Sequence, residues 1–176
     1  AQEIIENIKK GNKIIVHGDY DADGISACAL LWEFLYRDVA AFLEKEVDVL
    51  PYIPDRIEQG YGLTEDSLND LVALGANLVI TVDCGIRDRE IIEKFKKEKE
   101  LDFLITDHHQ PPKDISKEAD YTIVHQMFPK KEYPYTEISG TTVVYLLIQA
   151  IMNELGMEKD PNYGLDLVAL TTITDV

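Results

Sequence analysis

The chain has little cysteine, no long apolar run and a shortage of basic residues. Its 176 residues include two cysteines, Cys28 and Cys84, too few for a disulfide framework and without the paired spacing of a metal site. Cys28 falls in a predicted helix and Cys84 in a strand-end turn, so both read as small buried hydrophobes. No apolar run approaches the ~20 residues that a spanning helix requires, and the N-terminus lacks the basic-then-apolar pattern of a signal peptide. A cytoplasmic protein with no membrane partner is the expectation. No Gly-x-Gly-x-x-Gly follows the first predicted strand, which argues against a nucleotide-dependent redox fold. Internal repeats and low-complexity segments are also absent. Lys and Arg number 17 against 33 Asp and Glu, a net charge of −16, and that balance by itself argues against a polyanionic partner. Part of the negative charge, however, sits in clustered Asp residues that divalent cations would offset, and a basic nucleic-acid-binding module outside this sequence would change the balance.

What is present is enough apolar material for one globular domain over residues 1–176, 45% hydrophobic and 28% charged. Strand-like runs recur at Ile14–His17, Val47–Ile53, Leu78–Val82, Phe103–Thr106 and Tyr121–His125. Helix-like runs fall at Ile25–Tyr36, Thr64–Leu74, Asp88–Glu98, Ser139–Leu155 and Tyr163–Thr172. This alternation predicts an α/β fold, a mostly parallel five-stranded sheet with helices on both faces. The sequence opens within a helix-like segment and stops at Asp175-Val176, so it reads as a fragment. The Lys94–Glu100 charge run reads as a solvated helix end.

The densest chemistry lies at Asp19-Tyr20-Asp21-Ala22-Asp23-Gly24-Ile25-Ser26, directly after the first strand-like run. Crowded carboxylates repel unless a cation or proton intervenes. Asp-x-Asp-x-Asp-Gly also opens a calcium loop, but the position that needs a bidentate Glu is Leu30, and a strand rather than a helix precedes Asp19. Two other strand ends carry similar groups: Asp83-Cys84-Gly85 and Asp107-His108-His109. A fourth ends at His125, either a third imidazole near the site or, the simpler reading, a strand-end residue. Parallel strands bring their carboxyl ends to one edge, where α/β sheets bind ligands. Asp19, Asp21, Asp23, Asp83, Asp107 and His108 are thereby expected to converge, with His17 and His109 as further candidates. An oxygen-rich set with one or two imidazoles favours Mn²⁺ or Mg²⁺ over zinc. Two ions suit it better than one, with Asp83 bridging and Asp21 and Asp23 taking one each, the arrangement that clamps attacking and leaving oxygens in phosphoryl displacement.

These blocks, taken in order, resemble the DHH phosphoesterase superfamily and, within it, the RecJ-type single-strand-specific exonucleases. The matching segments are His17 to Gly24, Val82 to Gly85, Thr106 to His109, Ser139-Gly140 with its apolar helix, and Leu167 to Leu170 through Thr174-Asp175-Val176. Pro54-Asp55-Arg56 and Gly60-Tyr61-Gly62-Leu63 are similar to a RecJ-type block. The resemblance implies one Mn²⁺ held by His17, Asp21 and Asp83, and a second held by Asp23, Asp83, His108 and Asp175. Residue reading alone makes Asp175 an ordinary helix-end acid. Asp19 and Asp107 would complete the catalytic set with His109 by orienting ligands or tuning the site. His109 would contact phosphate, and Arg56 would grip a terminal 5′-phosphate through its planar guanidinium. The alternative for Arg56 is a surface arginine in a turn.

The sequence departs from the family in two places. Where the family tends to carry Asn-Pro, this chain has His125-Gln126-Met127-Phe128-Pro129, and the second domain with which RecJ-type nucleases usually grip DNA is not within these 176 residues. The implied function is two-metal phosphodiester hydrolysis, a metal-activated water attacking single-stranded DNA from the 5′ end and releasing 5′-mononucleotides. RNA is the other polynucleotide to consider, and DNA repair or replication proteins are the implied partners. Tyr20, Tyr61 and Phe128 are candidates for stacking on bases, although core packing is the simpler role for each. The rivals are a phosphoesterase of the same superfamily acting on oligonucleotides, cyclic dinucleotides or pyrophosphate, and an inactive replication scaffold.

Overall fold

In the computed structural model, which describes residues 1–112, 119–128, 133–158 and 160–175, five parallel strands form one sheet. Pro129 and Val176 lie outside the described residues. The strands are β1 (Ile14–Gly18), β2 (Val49–Tyr52), β3 (Leu78–Val82), β4 (Asp102–Thr106) and β5 (Thr122–Val124), in the order β2-β1-β3-β4-β5. The helices are α1 (Gln2–Lys10), α2 (Ala22–Glu33), α3 (Ala40–Leu43), α4 (Glu65–Ala73), α5 (Arg89–Lys99), α6 (Gly140–Leu155) and α7 (Leu165–Thr174).

β1 and β3 are buried along their whole length, which is why they read as unbroken apolar runs. Alternate residues feed two cores. Ile14, Val16, Leu78 and Ile80 pack with Ile4, Leu31, Phe34 and Ile148, whereas Ile15, Val79 and Phe103 pack with Leu68, Leu71 and Ile92. The first layer is therefore α1, α2 and α6, and the second is α4 and α5. Each fully buried side chain of this kind contributes about 1.5–3 kcal/mol relative to exposure. Among the described residues no helix is long and apolar enough to cross a membrane.

Local chemistry sets the boundaries. Thr64 and Ser67 close a capping box at the start of α4, Ser139 accepts from Thr142 N at the start of α6, and Gly156 ends α6 in the left-handed region. The expected strands at Val47–Ile53 and Tyr121–His125 shorten to β2 and β5. Pro51 sits within β2, on the sheet edge, where a missing donor is tolerated. The helix expected from Ile25 begins at Ala22, because Asp21 caps it with bonds from Asp23 N and Gly24 N. It then continues past Tyr36 through a π-helical segment, Phe34–Val39, into α3.

Candidate metal centre

The order β2-β1-β3-β4-β5 makes β1, β3 and β4 neighbours, and their carboxyl ends meet where the connections from β1 and β3 depart in opposite directions. β1 runs straight into the acidic turn, so the strand, not a helix, precedes Asp19. Asp19 Oδ1 accepts from Tyr20 N, and Asp21 Oδ1 holds the first turn of α2. Gly24 crosses so close that a Cβ there would lie 2.6 Å from Asp19 Cα. Asp23 is buried and accepts from Gly140 N, Thr141 N and Thr141 Oγ1, which joins the first turn of α2 to the first turn of α6. Two helix N-termini thus share one carboxylate, a favourable place for negative charge.

Asp83 leaves β3 in the left-handed region, φ 62°, which Asp tolerates better than most residues. Its side chain is buried and neither oxygen has a hydrogen-bond partner among the described residues. His108 Nε2 comes within 3.0 Å of Asp83 Oδ1 as an ion-pair contact, and it too makes no hydrogen bond among the described residues. Asp175 Oδ2 and Asp23 Oδ2 lie 3.5 and 3.8 Å from the same nitrogen. Burial, reinforced by Asp23 and Asp21 against the pull of His108, pushes Asp83 up to about 7. For His108, burial acts downward, but Asp83, Asp175 and Asp23 outweigh it and raise the imidazole to about 9. Buried acceptors without donors, and a carboxylate that resists ionising, are what a cation site looks like to its own ligands.

Asp107 plays a different part. Its Oδ1 accepts from His108 N, His109 N and His109 Nδ1, the last at 2.8 Å, and its Oδ2 accepts from Ile86 N. Burial works against the ionised form, yet these bonds hold the Asp107 carboxyl below its ordinary value. Asp107 in turn raises His109.

Three sets of ligand atoms each lie within 4.8 Å of one another: Asp83, His108 and His109; Asp23, His108 and Asp175; Asp19, Asp21 and Asp83. Asp83 and His108 each belong to two sets, as expected of groups shared between neighbouring ions. The second set, with Asp83 beside it, brings together the residues expected for one ion, including Asp175. The first ion's expected ligands are placed differently. Asp19 stands with Asp21 and Asp83, whereas His17 belongs to none of the three sets. The His17 ring is stacked on Tyr52, its Nδ1 is 3.7 Å from Cys84 Sγ, and its buried Nε2 has no hydrogen-bond partner among the described residues. Burial lowers His17 to about 4, so it stays neutral and ligand-competent near neutral pH.

Arg56 lies outside the cluster of acids and imidazoles. Its guanidinium sits 5.2 Å over the Tyr20 ring, a cation–π contact that ties the turn at 55–59 to the residue following Asp19. Tyr61, expected in the core, is half exposed and meets the His109 ring edge-on. A cleft of about 370 Å³ opens beside His108 and Asp175, with Met127, Thr136 and Ser139 on its other wall. Thr141 escaped the sequence reading altogether; the only available signal was its place just after the Ser139-Gly140 helix start.

Gly140 packs against the centre of the site, since a Cβ there would meet Asp83 Cβ at 2.7 Å. Gly140→Ala is expected to cost about 1–3 kcal/mol by overpacking and to weaken divalent-cation binding by shifting Asp83. Chemical denaturation and cation titration of the same sample check both effects, and an unchanged cation affinity would count against Asp83 as a ligand.

Comparison with known proteins places these observations in a family. The description "DHH family, N-terminal domain" matches residues 13–172. The single-stranded-DNA-specific exonuclease RecJ of Bacillus subtilis is 37% identical over 176 residues, covering 100% of this chain and 20% of that protein. A crystal structure of exonuclease RecJ bound to manganese superposes with a TM-score of 0.79 at 34% identity, over 99% of this chain and 42% of that one. RecJ of Thermus thermophilus in complex with Mn²⁺ gives a TM-score of 0.72 at 32% identity, over 99% and 23% of the two chains. The chain therefore spans about a fifth of the Bacillus relative's length.

Proposed function

The chain belongs to the DHH family, and from that premise we propose that it is the metal-binding domain of a nuclease that hydrolyses single-stranded DNA from the 5′ end with two divalent cations, Mn²⁺ or Mg²⁺. The observation that carries the reading is Asp83, a buried carboxylate whose oxygens accept no hydrogen bond among the described residues and which stands between Asp19, Asp21, Asp23 and His108. The donor set fits the cations, being rich in carboxylate oxygen with imidazole nitrogen at its edge. The manganese-bound relatives support the same choice.

Asp23, Asp83, His108 and Asp175 would hold one cation, and Asp21 and Asp83 the other, with His17 Nε2 and Asp19 as its further ligands. Bound there, the cations supply Lewis-acid stabilisation of phosphate charge and an activated water. The protein's own part is positional. Asp107 fixes the His109 ring through Nδ1, which keeps the imidazole beside Asp83 where a phosphate oxygen would be met. Arg56, steadied over Tyr20, offers a planar donor pair for a terminal 5′-phosphate. The exposed face of Tyr61 beside His109 suits a stacked base.

The test uses the full-length protein with 5′-labelled single-stranded DNA and Mn²⁺, run beside pyrophosphate and a cyclic dinucleotide. Release of labelled mononucleotide is the expected result. Intact DNA with turnover of a small phosphoester would transfer the site to that substrate class, and turnover of neither would leave the fold as a scaffold. The proton on His108 must leave before its ring binds a cation. Mn²⁺ affinity should therefore rise by about tenfold per pH unit between the Asp83 value near 7 and the His108 value near 9. A flat affinity profile by titration calorimetry would remove His108 from the ligand set.

A further inference from the structure

Immediately after β5, two buried side chains reach across to the exit of β4. His125 Nε2 lies 2.7 Å from the His109 carbonyl oxygen, and Gln126 Nε2 donates to the His108 carbonyl oxygen, also at 2.7 Å. His125 Nδ1 accepts from Met127 N at 3.0 Å. That bond fixes the tautomer, so Nε2 carries the hydrogen and donates it to His109.

Asp107 already binds the backbone N–H of both histidines, at 2.7 and 3.0 Å. Side chains therefore take all four backbone polar groups of His108 and His109, the N–H pair from one side and the carbonyl pair from the other. A strand has a ladder to hold its backbone; these two residues have left theirs, and a buried backbone must find partners elsewhere. Gln126 Nε2 also donates to Thr136 O at 3.1 Å, in the segment that leads to Ser139 and α6. The clasp so connects the segment bearing His108 to the helix start that grips Asp23. Among the described residues Gln126 Oε1 is buried without a hydrogen-bond partner, so the side chain engages its surroundings there through its donor. A proline at this position would have no side-chain donor to offer.

We infer that His125 and Gln126 are positioning residues for the metal centre: their side chains fix the backbone carbonyls of His108 and His109 and thereby set where the two imidazoles stand relative to Asp83 and Asp175. This rests on the metal-centre reading above. Residues standing behind metal ligands commonly change metal affinity or activity by about 10–100-fold when replaced, and an effect of that size is expected here although the contact is to the ligands' backbone.

The experiment compares wild type, His125→Leu, His125→Gln and Gln126→Leu in the full-length protein. Three quantities are read: the thermal midpoint of the metal-free protein, Mn²⁺ affinity by electron paramagnetic resonance, and kcat and KM on single-stranded DNA. His125→Leu and Gln126→Leu should bind Mn²⁺ at least about tenfold more weakly, with the loss in turnover falling on kcat rather than KM. His125→Gln, whose Nε2 can donate where the imidazole did, should recover most of the affinity. A purely structural role would lower the metal-free thermal midpoint and leave Mn²⁺ affinity unchanged, and that result overturns the inference. If Gln126→Leu does not fold, the His125→Leu and His125→Gln pair decides: equal affinities refute the role. Failure of wild type itself to bind Mn²⁺ would instead bring down the metal-centre reading.

Discussion

Asp83→Asn should lose metal-dependent cleavage almost completely while making the metal-free protein more stable. Asparagine keeps the shape and tolerates the left-handed backbone at φ 62°, so the substitution removes charge and little else. A site that stabilises developing phosphate charge contributes several kcal/mol to the transition state, and losing that much lowers kcat/KM by ~10³-fold or more. The stability effect has the opposite sign. Burial holds folded Asp83 near 7, whereas the unfolded carboxyl ionises near the usual ~4. The folded state is thus penalised as pH rises from about 4 to about 7, and the penalty persists above that. Part of it returns when His108 loses its ion partner, leaving a net gain of about 1–2 kcal/mol near pH 8, a few degrees in thermal midpoint for a chain of this size. Melting curves in chelator at pH 5 and pH 8 check this, with the larger gain at pH 8. An Asp83→Asn protein that still cleaved, or that melted below wild type at pH 8, would contradict the assignment.

Asp23→Ala should do the reverse to stability. Asp23 is as buried as Asp83, but its oxygens are occupied by Gly140 N, Thr141 N and Thr141 Oγ1. Removing the carboxylate strands these donors at the junction of α2 and α6. Breaking a buried charged network in this way costs about 3–5 kcal/mol, enough to lower the thermal midpoint by roughly 10 °C. Metal-dependent activity should fall as well, since Asp23 stands in the set with His108 and Asp175. Denaturant titration without metal isolates the stability term. An Asp23→Ala protein as stable as wild type would mean that the α2–α6 junction is held elsewhere.

That Asp83 and Asp23, two acids facing the same imidazole, behave oppositely was not legible from Asp83-Cys84-Gly85 and Asp21-Ala22-Asp23. The apolar runs that became β1, β3 and β4 were visible because strands buried on both faces carry little else, and parallel pairing then brought Asp19, Asp83 and Asp107 to one edge. The assignment of partners was not visible. Which carboxylate meets Gly140 and Thr141 depends on how α6 packs over α2, a contact more than a hundred positions distant in sequence. His17 shows the same limit: strand register put it at the right edge, but the stacking on Tyr52 decides where its ring points. Asp175 had only a helix-end position to recommend it in the residues themselves; the family resemblance singled it out, and α7 delivers it to within 3.5 Å of His108 Nε2.

The clustering of acids that burdens the metal-free domain also connects its folding to the ionic composition around it. A cation that binds only the folded chain adds about 2.7 kcal/mol at a hundredfold excess over its dissociation constant. Asp83, which gives up stability while it waits, is the group expected to return it on loading, so the balance between folded and unfolded chain would follow the concentration of free divalent cation.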